Sequence, residues 1–227
     1  MIDKYKAVVF DWDGTLVDTC GLILDAHNHV RTYMGHPLWT MDDFLGQASK
    51  SAREYYPEVY GDRADEAQKV LYDFVEAHHL TYLKPMAMAQ EMLDLFQTWQ
   101  VPLAVVSNKR HNTLNIEVAH MGWPDRFRSV IGAGQAARDK PSPDPLLMAL
   151  NQIDTLIKPA DILYVGDTET DLLCAKNAGC AIALIQSDRP RPDLLEKYNP
   201  AYAYDDLAQF IENVIASKQE SDAIRAC

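Results

Sequence analysis

The sequence predicts an α/β fold: a doubly wound parallel sheet, interrupted near its start by an all-helical domain. Three observations carry that prediction. Short runs of apolar, strand-forming residues recur along the chain, and each is followed by a segment of helical periodicity. Strand-then-helix units of this kind imply parallel strands joined by right-handed crossovers. One long stretch, residues 18–84, breaks the alternation and carries helical periodicity alone. The core is therefore expected to comprise residues 1–17 and 85–227, with residues 18–84 inserted as a helical cap.

The elements follow in order. Residues 6–11 read as the first strand. Within the insert, Ile23, His27, Val30 and Met34 share one helical face, and Ala67, Val70, Leu71, Phe74, Val75 and His78 share another. Gly35-His36-Pro37, Phe44-Leu45-Gly46 and Pro57 divide the insert into several short helices. His78 and His79 read as structural or exposed side chains rather than ligands, and Met86, Met88 and Met92 as packing. After Lys84-Pro85 a helix begins with Ala89, Met92, Leu93, Phe96 and Trp99 on one side. Residues 102–106 form a buried strand that ends in Ser107-Asn108-Lys109, and a helix bearing Leu114, Val118 and Met121 stops near Gly122. A short strand is expected at 127–131. Lys140-Pro141-Ser142-Pro143 then leads a helix with Leu146, Leu147, Leu150 and Ile153, since proline is tolerated in a first turn that needs no donor. Residues 162–165 form a strand ending in Gly166-Asp167, followed by a helix that Gly179 closes. Strands at 181–185 and 201–204 and a helix along Leu207, Phe210, Ile211, Val214 and Ile215 complete the core, and the polar tail 217–227 is expected to fray.

Composition bounds the function. The chain has 227 residues, 48% hydrophobic and 24% charged, which is the balance of a globular protein. A net charge of −12 argues against nucleic-acid binding and against an anionic membrane surface, so an anionic substrate would need a local basic pocket. No apolar run approaches the roughly 20 residues of a membrane span. The opening Met1-Ile2-Asp3-Lys4-Tyr5-Lys6 leads into a short β-rich run without a small-residue cleavage site, so no signal peptide is expected. The four cysteines have neither metal-ligand spacing nor the density of a disulfide framework, and reduced thiols in a cytoplasm are the expectation.

The chemistry concentrates at the ends of the predicted strands. Asp11 and Asp13 follow an apolar run and stand two positions apart, so alternation along a strand would send both the same way. At the carboxyl end of a parallel strand that direction faces the crevice where such sheets bind ligands. One carboxylate there can attack phosphorus and the other can pass a proton, or the pair can simply cap loops. Gly14 suits a tight turn. Ser107 and Asn108 offer a hydroxyl and backbone amides for an anion, although such residues also cap helices constantly. Lys140 can neutralise charge on a transferring group and on Asp11; alone it reads as a surface lysine. Oxygen ligands from Asp11, Asp167 and a backbone carbonyl near Asp13 suit Mg²⁺. Asp171, one turn beyond Asp167, is equally an acidic first turn favoured by the helix dipole.

Together, Phe10-Asp11-Trp12-Asp13-Gly14-Thr15-Leu16-Val17-Asp18-Thr19, Val105-Val106-Ser107-Asn108-Lys109, Lys140-Pro141-Ser142-Pro143 and Val165-Gly166-Asp167-Thr168-Glu169-Thr170-Asp171 resemble the four signature motifs of the haloacid dehalogenase-like (HAD) hydrolases. The helical insert resembles the C1 cap of the phosphoglycolate-phosphatase-like subgroup. The resemblance implies a Rossmann-like core and a Mg²⁺-dependent phosphatase of small phosphate esters. Asp11 would be the nucleophile and Asp13 the acid/base. Ser107 with the Asn108 amide would bind the phosphoryl group, Gly14 and Thr15 would adjoin it, and Lys140 would steady it and Asp11. Metal ligation would fall to Asp11, Asp13 and Asp167, with Asp171 in support. An acid at Asp13 disfavours the dehalogenases and phosphonoacetaldehyde hydrolases of the superfamily. Where the chain re-enters the core, Lys84-Pro85-Met86-Ala87 departs from the Pro-Tyr-Pro-Gly frequent in phosphoglycolate phosphatases. Analogy places the substrate loop at residues 46–53, with Lys50 and Arg53 as candidates to meet an anionic substrate. A β-phosphoglucomutase-type phosphomutase and a non-catalytic binding protein of the same fold are the rival readings.

Overall fold

The first apolar run, Ala7–Phe10 (β1), is buried along its whole length. In this computed structural model, which describes residues 2–47, 52–187 and 190–225, it lies inside a six-stranded sheet. In chain order the other strands are β2 (Val17–Asp18), β3 (Lys84–Pro85), β4 (Leu103–Arg110), β5 (Ser129–Ala133), β6 (Ile162–Gly166), β7 (Ala181–Ile185) and β8 (Tyr202–Tyr204). The sheet order is β5-β4-β1-β6-β7-β8, and every pairing in it is parallel. Val9 stands between Ala104 on β4 and Tyr164 on β6. The order reverses at β1, so the loops leaving β1, β4 and β6 open side by side at a topological switch point.

Both faces of the sheet are covered, which is why β1 reads as a continuous apolar run instead of an alternation. On one face Ala7, Val9, Val106 and Tyr164 pack with Leu146, Leu150 and Leu172 of helices α7 (Asp144–Ile153) and α8 (Glu169–Ala178). On the other, the Phe10 ring meets Phe96 of α5 (Ala89–Thr98), with ring centres 6.2 Å apart, and Phe96 meets Phe210 of α10 (Leu207–Arg225) at 6.4 Å. Gly179 closes α8 in the left-handed conformation, φ 79°.

Four details depart from the sequence expectations. Strand β4 runs to Arg110, with a register irregularity between Val106 and Arg110, so Ser107, Asn108 and Lys109 lie on the strand and not at a helix start. Helix α6 (His111–His120) begins only after it. The pair β2–β3 and helix α9 (Pro192–Tyr198) went unanticipated, being too short to show a period. Helix α10 continues through the polar tail to Arg225, where a fraying segment was expected. Its Lys218 pairs with Asp3 at 2.7 Å and with Asp222 one turn on at 3.8 Å, giving the polar turns a docking point.

The chain divides into two compact units, Met1–Asp18 with Lys84–Cys227, and Thr19–Leu83. The second holds α1 (Cys20–Met34), α2 (Met41–Gln47), α3 (Ala52–Tyr60) and α4 (Ala64–Tyr82). Its core joins Ala26, Val30, Tyr56, Ala67 and Leu71, with Met34, Phe74 and Val75 packed against them. The buried stripe of α1 is Leu22, Ala26 and Val30, one residue round from the face expected through Ile23 and His27. His78 stacks on Phe74 with ring centres 4.3 Å apart, and His79 is buried.

His27 sits among Trp39, Phe44 and Tyr56, with the Tyr56 hydroxyl 3.0 Å from its Nδ1. Burial, reinforced by the Arg31 charge, pushes its pKa down from 6.5 to about 4. The folded state therefore holds it neutral while the unfolded chain binds a proton below 6.5. Its stabilisation is complete above that pH and is lost as pH falls through 6.5 towards 4. We expect up to about 3 kcal/mol to be lost over this window. Urea denaturation at pH 7 and 4.5 measures it: the drop in a His27→Asn variant will be smaller than in wild type, and equal drops would refute the assignment.

Candidate active site

Strand β1 ends at Phe10, and the chain leaves the sheet through a turn that the Asp11 amide anchors on Val165 O at 2.9 Å. Within the turn, Trp12 O collects the amides of Leu16 (2.9 Å) and Val17 (3.1 Å), and Gly14 N donates to Val17 O at 2.8 Å. Strand alternation thus stops before Asp13, and the two carboxylates take different partners. Asp11 Oδ1 accepts from Lys140 Nζ at 2.7 Å, whereas Asp13 Oδ1 accepts from Lys109 Nζ at 2.7 Å. The expected like-facing pair is two separately anchored groups.

Lys140 is 6% exposed and lies on a turn before α7 rather than on the helix. Its ammonium also donates to Asp171 Oδ1 at 2.7 Å and to Tyr164 Oη at 3.2 Å, which uses all three protons. Asn108 fixes the lysine's main chain: its side-chain amide donates to Lys140 O and its Oδ1 accepts from Lys140 N, both at 2.9 Å. Ser107 is buried, and its Oγ accepts from Lys109 N at 3.0 Å.

Asp171 is saturated. Its Oδ2 accepts from Thr168 Oγ1 at 2.6 Å, Thr168 N at 3.0 Å and Asp167 N at 3.3 Å, while Oδ1 takes Lys140. Thr168 and Asp171 form the capping box that starts α8. Asp171 is therefore the acidic first turn that its sequence position allowed, and also a partner of the buried lysine, which the sequence reading did not anticipate. Asp167 Oδ1 accepts the Thr15 hydroxyl at 2.9 Å. Gly14 has φ 81°, and a Cβ there would lie 2.4 Å from Asp167 Oδ2. Gly14 and Thr15, expected beside a phosphoryl group, serve in this structure to seat Asp167.

Carboxylate oxygens of Asp11, Asp167 and Asp171 all lie within 4.8 Å of one another. Fully ionised, with Lys140 as the cation among them, the cluster would carry two negative charges more than positive ones. Burial, then the Asp171 charge, push Asp11 up to about 7 despite Lys140. The same two causes hold Asp167 well above the ordinary carboxylate range. Burial also opposes the Asp171 charge, but Lys140 and Thr168 outweigh it and hold Asp171 below its usual value. An all-oxygen donor set with a deficit of two charges fits a small hard divalent cation. Asp13, named among the expected metal ligands, does not bring its carboxylate into this cluster.

Lys109, Glu117 and Tyr164 were absent from the sequence-based candidates. Glu117 is fully buried and binds Lys109 Nζ at 2.7 Å and the Trp12 indole N–H at 2.6 Å. Its signal was available: a carboxylate beside Leu114 and Val118 on the apolar stripe of α6 needs a buried partner. Tyr164 gave none, since a tyrosine in an apolar strand reads as core. Lys50 and the side chain of Arg53 lie outside the described residues.

Residues 8–185 match the family model described as haloacid dehalogenase-like hydrolase. The phosphoglycolate phosphatase of Vibrio vulnificus is 29% identical over 229 residues, spanning 94% of this chain and 98% of that protein. The pyrophosphatase PpaX of Anoxybacillus flavithermus is 25% identical over 206 residues, with 91% and 95% covered. Among solved structures, a haloacid dehalogenase-like family hydrolase from Streptococcus pneumoniae superposes with a TM-score of 0.83 at 20% identity, covering 93% of this chain and 99% of that one, a likeness of fold.

Proposed function

We infer the reaction from one premise: this chain belongs to the haloacid dehalogenase-like hydrolase family, and its curated relatives include phosphatases. The reading is a Mg²⁺-dependent phosphatase that hydrolyses a small-molecule phosphate ester through an aspartyl-phosphate intermediate. The observation that carries it is Lys140, a buried lysine shared by Asp11 and Asp171 beside the carboxylate of Asp167.

Asp11 attacks phosphorus through Oδ2, because Lys140 occupies Oδ1. A bond forms between that oxygen and phosphorus as the ester P–O bond breaks, and the departing oxygen takes a proton from Asp13. Asp13 then accepts a proton from water, whose oxygen bonds to phosphorus and releases Asp11 and inorganic phosphate. Ser107 and the Asn108 amide bind the phosphoryl oxygens. Lys140 favours the ionised form of Asp11 against burial and the Asp171 charge, and offsets charge on the transferring group. Asp11, Asp167 and the Asp13 carbonyl would hold the cation, and Asp171, already saturated, would orient Lys140 and Asp167 from behind. Bound Mg²⁺ supplies positive charge where an anionic nucleophile must approach an anionic phosphoryl group. The helical unit Thr19–Leu83 is assigned substrate selection as a cap, with Lys50 and Arg53 meeting an anionic substrate group.

The test is phosphate release from a panel of phosphoglycolate, inorganic pyrophosphate, nucleoside monophosphates and sugar phosphates, with Mg²⁺ and with EDTA. Free phosphate from at least one member, abolished by EDTA, is expected. Isomerised sugar phosphate in place of free phosphate, or no release from any member, would overturn the reading.

A further inference from the structure

The buried pair Lys109–Glu117 is left unused by the chemistry above. Burying a carboxylate is costly unless it is paired and hydrogen-bonded. Two partners of Glu117 Oε2 among the described residues lead to the segment that carries the reacting carboxylates. One is the Trp12 indole, between Asp11 and Asp13 in the chain, at 2.6 Å. The other is Lys109 Nζ at 2.7 Å, which spends a second proton on Asp13 Oδ1 at 2.7 Å. The Trp12 ring is itself held edge-on against Trp123, with centres 5.8 Å apart, and the Trp123 N–H donates to Gln90 at 2.7 Å. A single carboxylate on α6 thus fastens residue 12 directly and residue 13 through a lysine whose side chain is 11% exposed. On Asp13 only Oδ1 is engaged, and Oδ2 makes no hydrogen bond among the described residues.

We propose that Lys109, braced by Glu117, is a positioning residue: it holds Asp13 Oδ1 so that Oδ2 meets the departing oxygen of the substrate. The proposal rests on Asp13 being the proton donor. Its consequence is selective. In the first step the Asp11–phosphorus bond forms, the ester P–O bond breaks, and the Asp13 proton passes to the leaving oxygen. An alkoxide needs that proton, whereas p-nitrophenolate departs without it. Misplacing Asp13 therefore slows alkyl esters far more than aryl ones, a pattern that general loss of structure does not produce.

The experiment compares kcat/KM, which reports steps through the first departure, for the best alkyl phosphomonoester of the panel and for p-nitrophenyl phosphate. Lys109→Met is expected to lower the alkyl value about 100-fold and the aryl value by less than about 5-fold. Lys109→Arg, which keeps the donor, should recover most of the alkyl loss. Because Lys109→Met leaves Glu117 charged and buried, the double variant Lys109→Met with Glu117→Gln removes that charge while keeping an acceptor for Trp12, and it should show the same selectivity. Equal losses on both esters in the double variant, or no loss on either, would overturn the proposal. A wild-type protein that hydrolyses neither ester would instead overturn the phosphatase reading on which it stands.

Discussion

An Asp11→Asn variant will lose phosphate release by about 10³-fold or more, and in metal-free buffer at pH 8 it will melt at a higher temperature than wild type. The first effect follows from removing the nucleophile. The second follows from charge crowding. Burial and the Asp171 charge push the Asp11 carboxyl from 3.8 up to about 7. A carboxyl whose folded pKa is raised costs stability as pH rises from 3.8 through about 7, and the whole cost is present at pH 8. An amide at this position carries no charge, still accepts from Lys140, and relieves the repulsion that also raises Asp167. With Mg²⁺ the order should reverse, because the cation binds the ionised cluster of the wild type more tightly and stabilises whatever it binds. Melting temperatures of the two proteins with Mg²⁺ and with EDTA, beside phosphate release, test both halves. Equal turnover would refute the nucleophile, and a lower melting temperature of the variant in EDTA would refute the crowding.

What the sequence disclosed and what it withheld have physical causes. The parallel sheet was legible because strands buried on both faces, such as Ala7–Phe10 and Ile162–Gly166, are continuous apolar runs between helical periods. The convergence of Asp11, Lys140, Asp167 and Asp171 was legible because sheet topology brings strand ends together whatever their separation in the chain. Side-chain partners were not legible. Whether Asp13 shares a face with Asp11 depends on whether β1 extends through both, and it stops at Phe10. The Asn108 side chain grips the Lys140 backbone across 32 residues, a pairing that no local pattern records. Glu117 falls between these cases: its misplaced charge was visible, its partners were not.

Lys140→Met is expected to be the most damaging single change in this core. In wild type, the ammonium pairs with two buried carboxylates at 2.7 Å each, and their charges raise its pKa although burial opposes this. A lysine with a raised folded pKa contributes its full stabilisation below its ordinary 10.5 for as long as its carboxylate partners stay ionised. Replacing it with an apolar chain of similar length strands Asp11 and Asp171 together, a loss of about 3–5 kcal/mol for a broken buried pair. Catalysis should fall by about 10³-fold for want of charge compensation at the phosphoryl group. The two losses separate with pH. The stranded carboxylates can take up protons, so the stability gap between variant and wild type should narrow as pH falls from 8 to 5 in EDTA, while activity stays lost. They also separate by genetics. Adding Asp11→Asn to Lys140→Met removes one stranded charge and should return more stability than the same change gives the wild-type protein in EDTA, a coupling that a double-mutant cycle measures by urea denaturation. Additive effects in that cycle would show that the Lys140 charge is not coupled to Asp11. Coupled effects would identify it as the cation that makes a cluster of three carboxylates, two of them buried, compatible with folding.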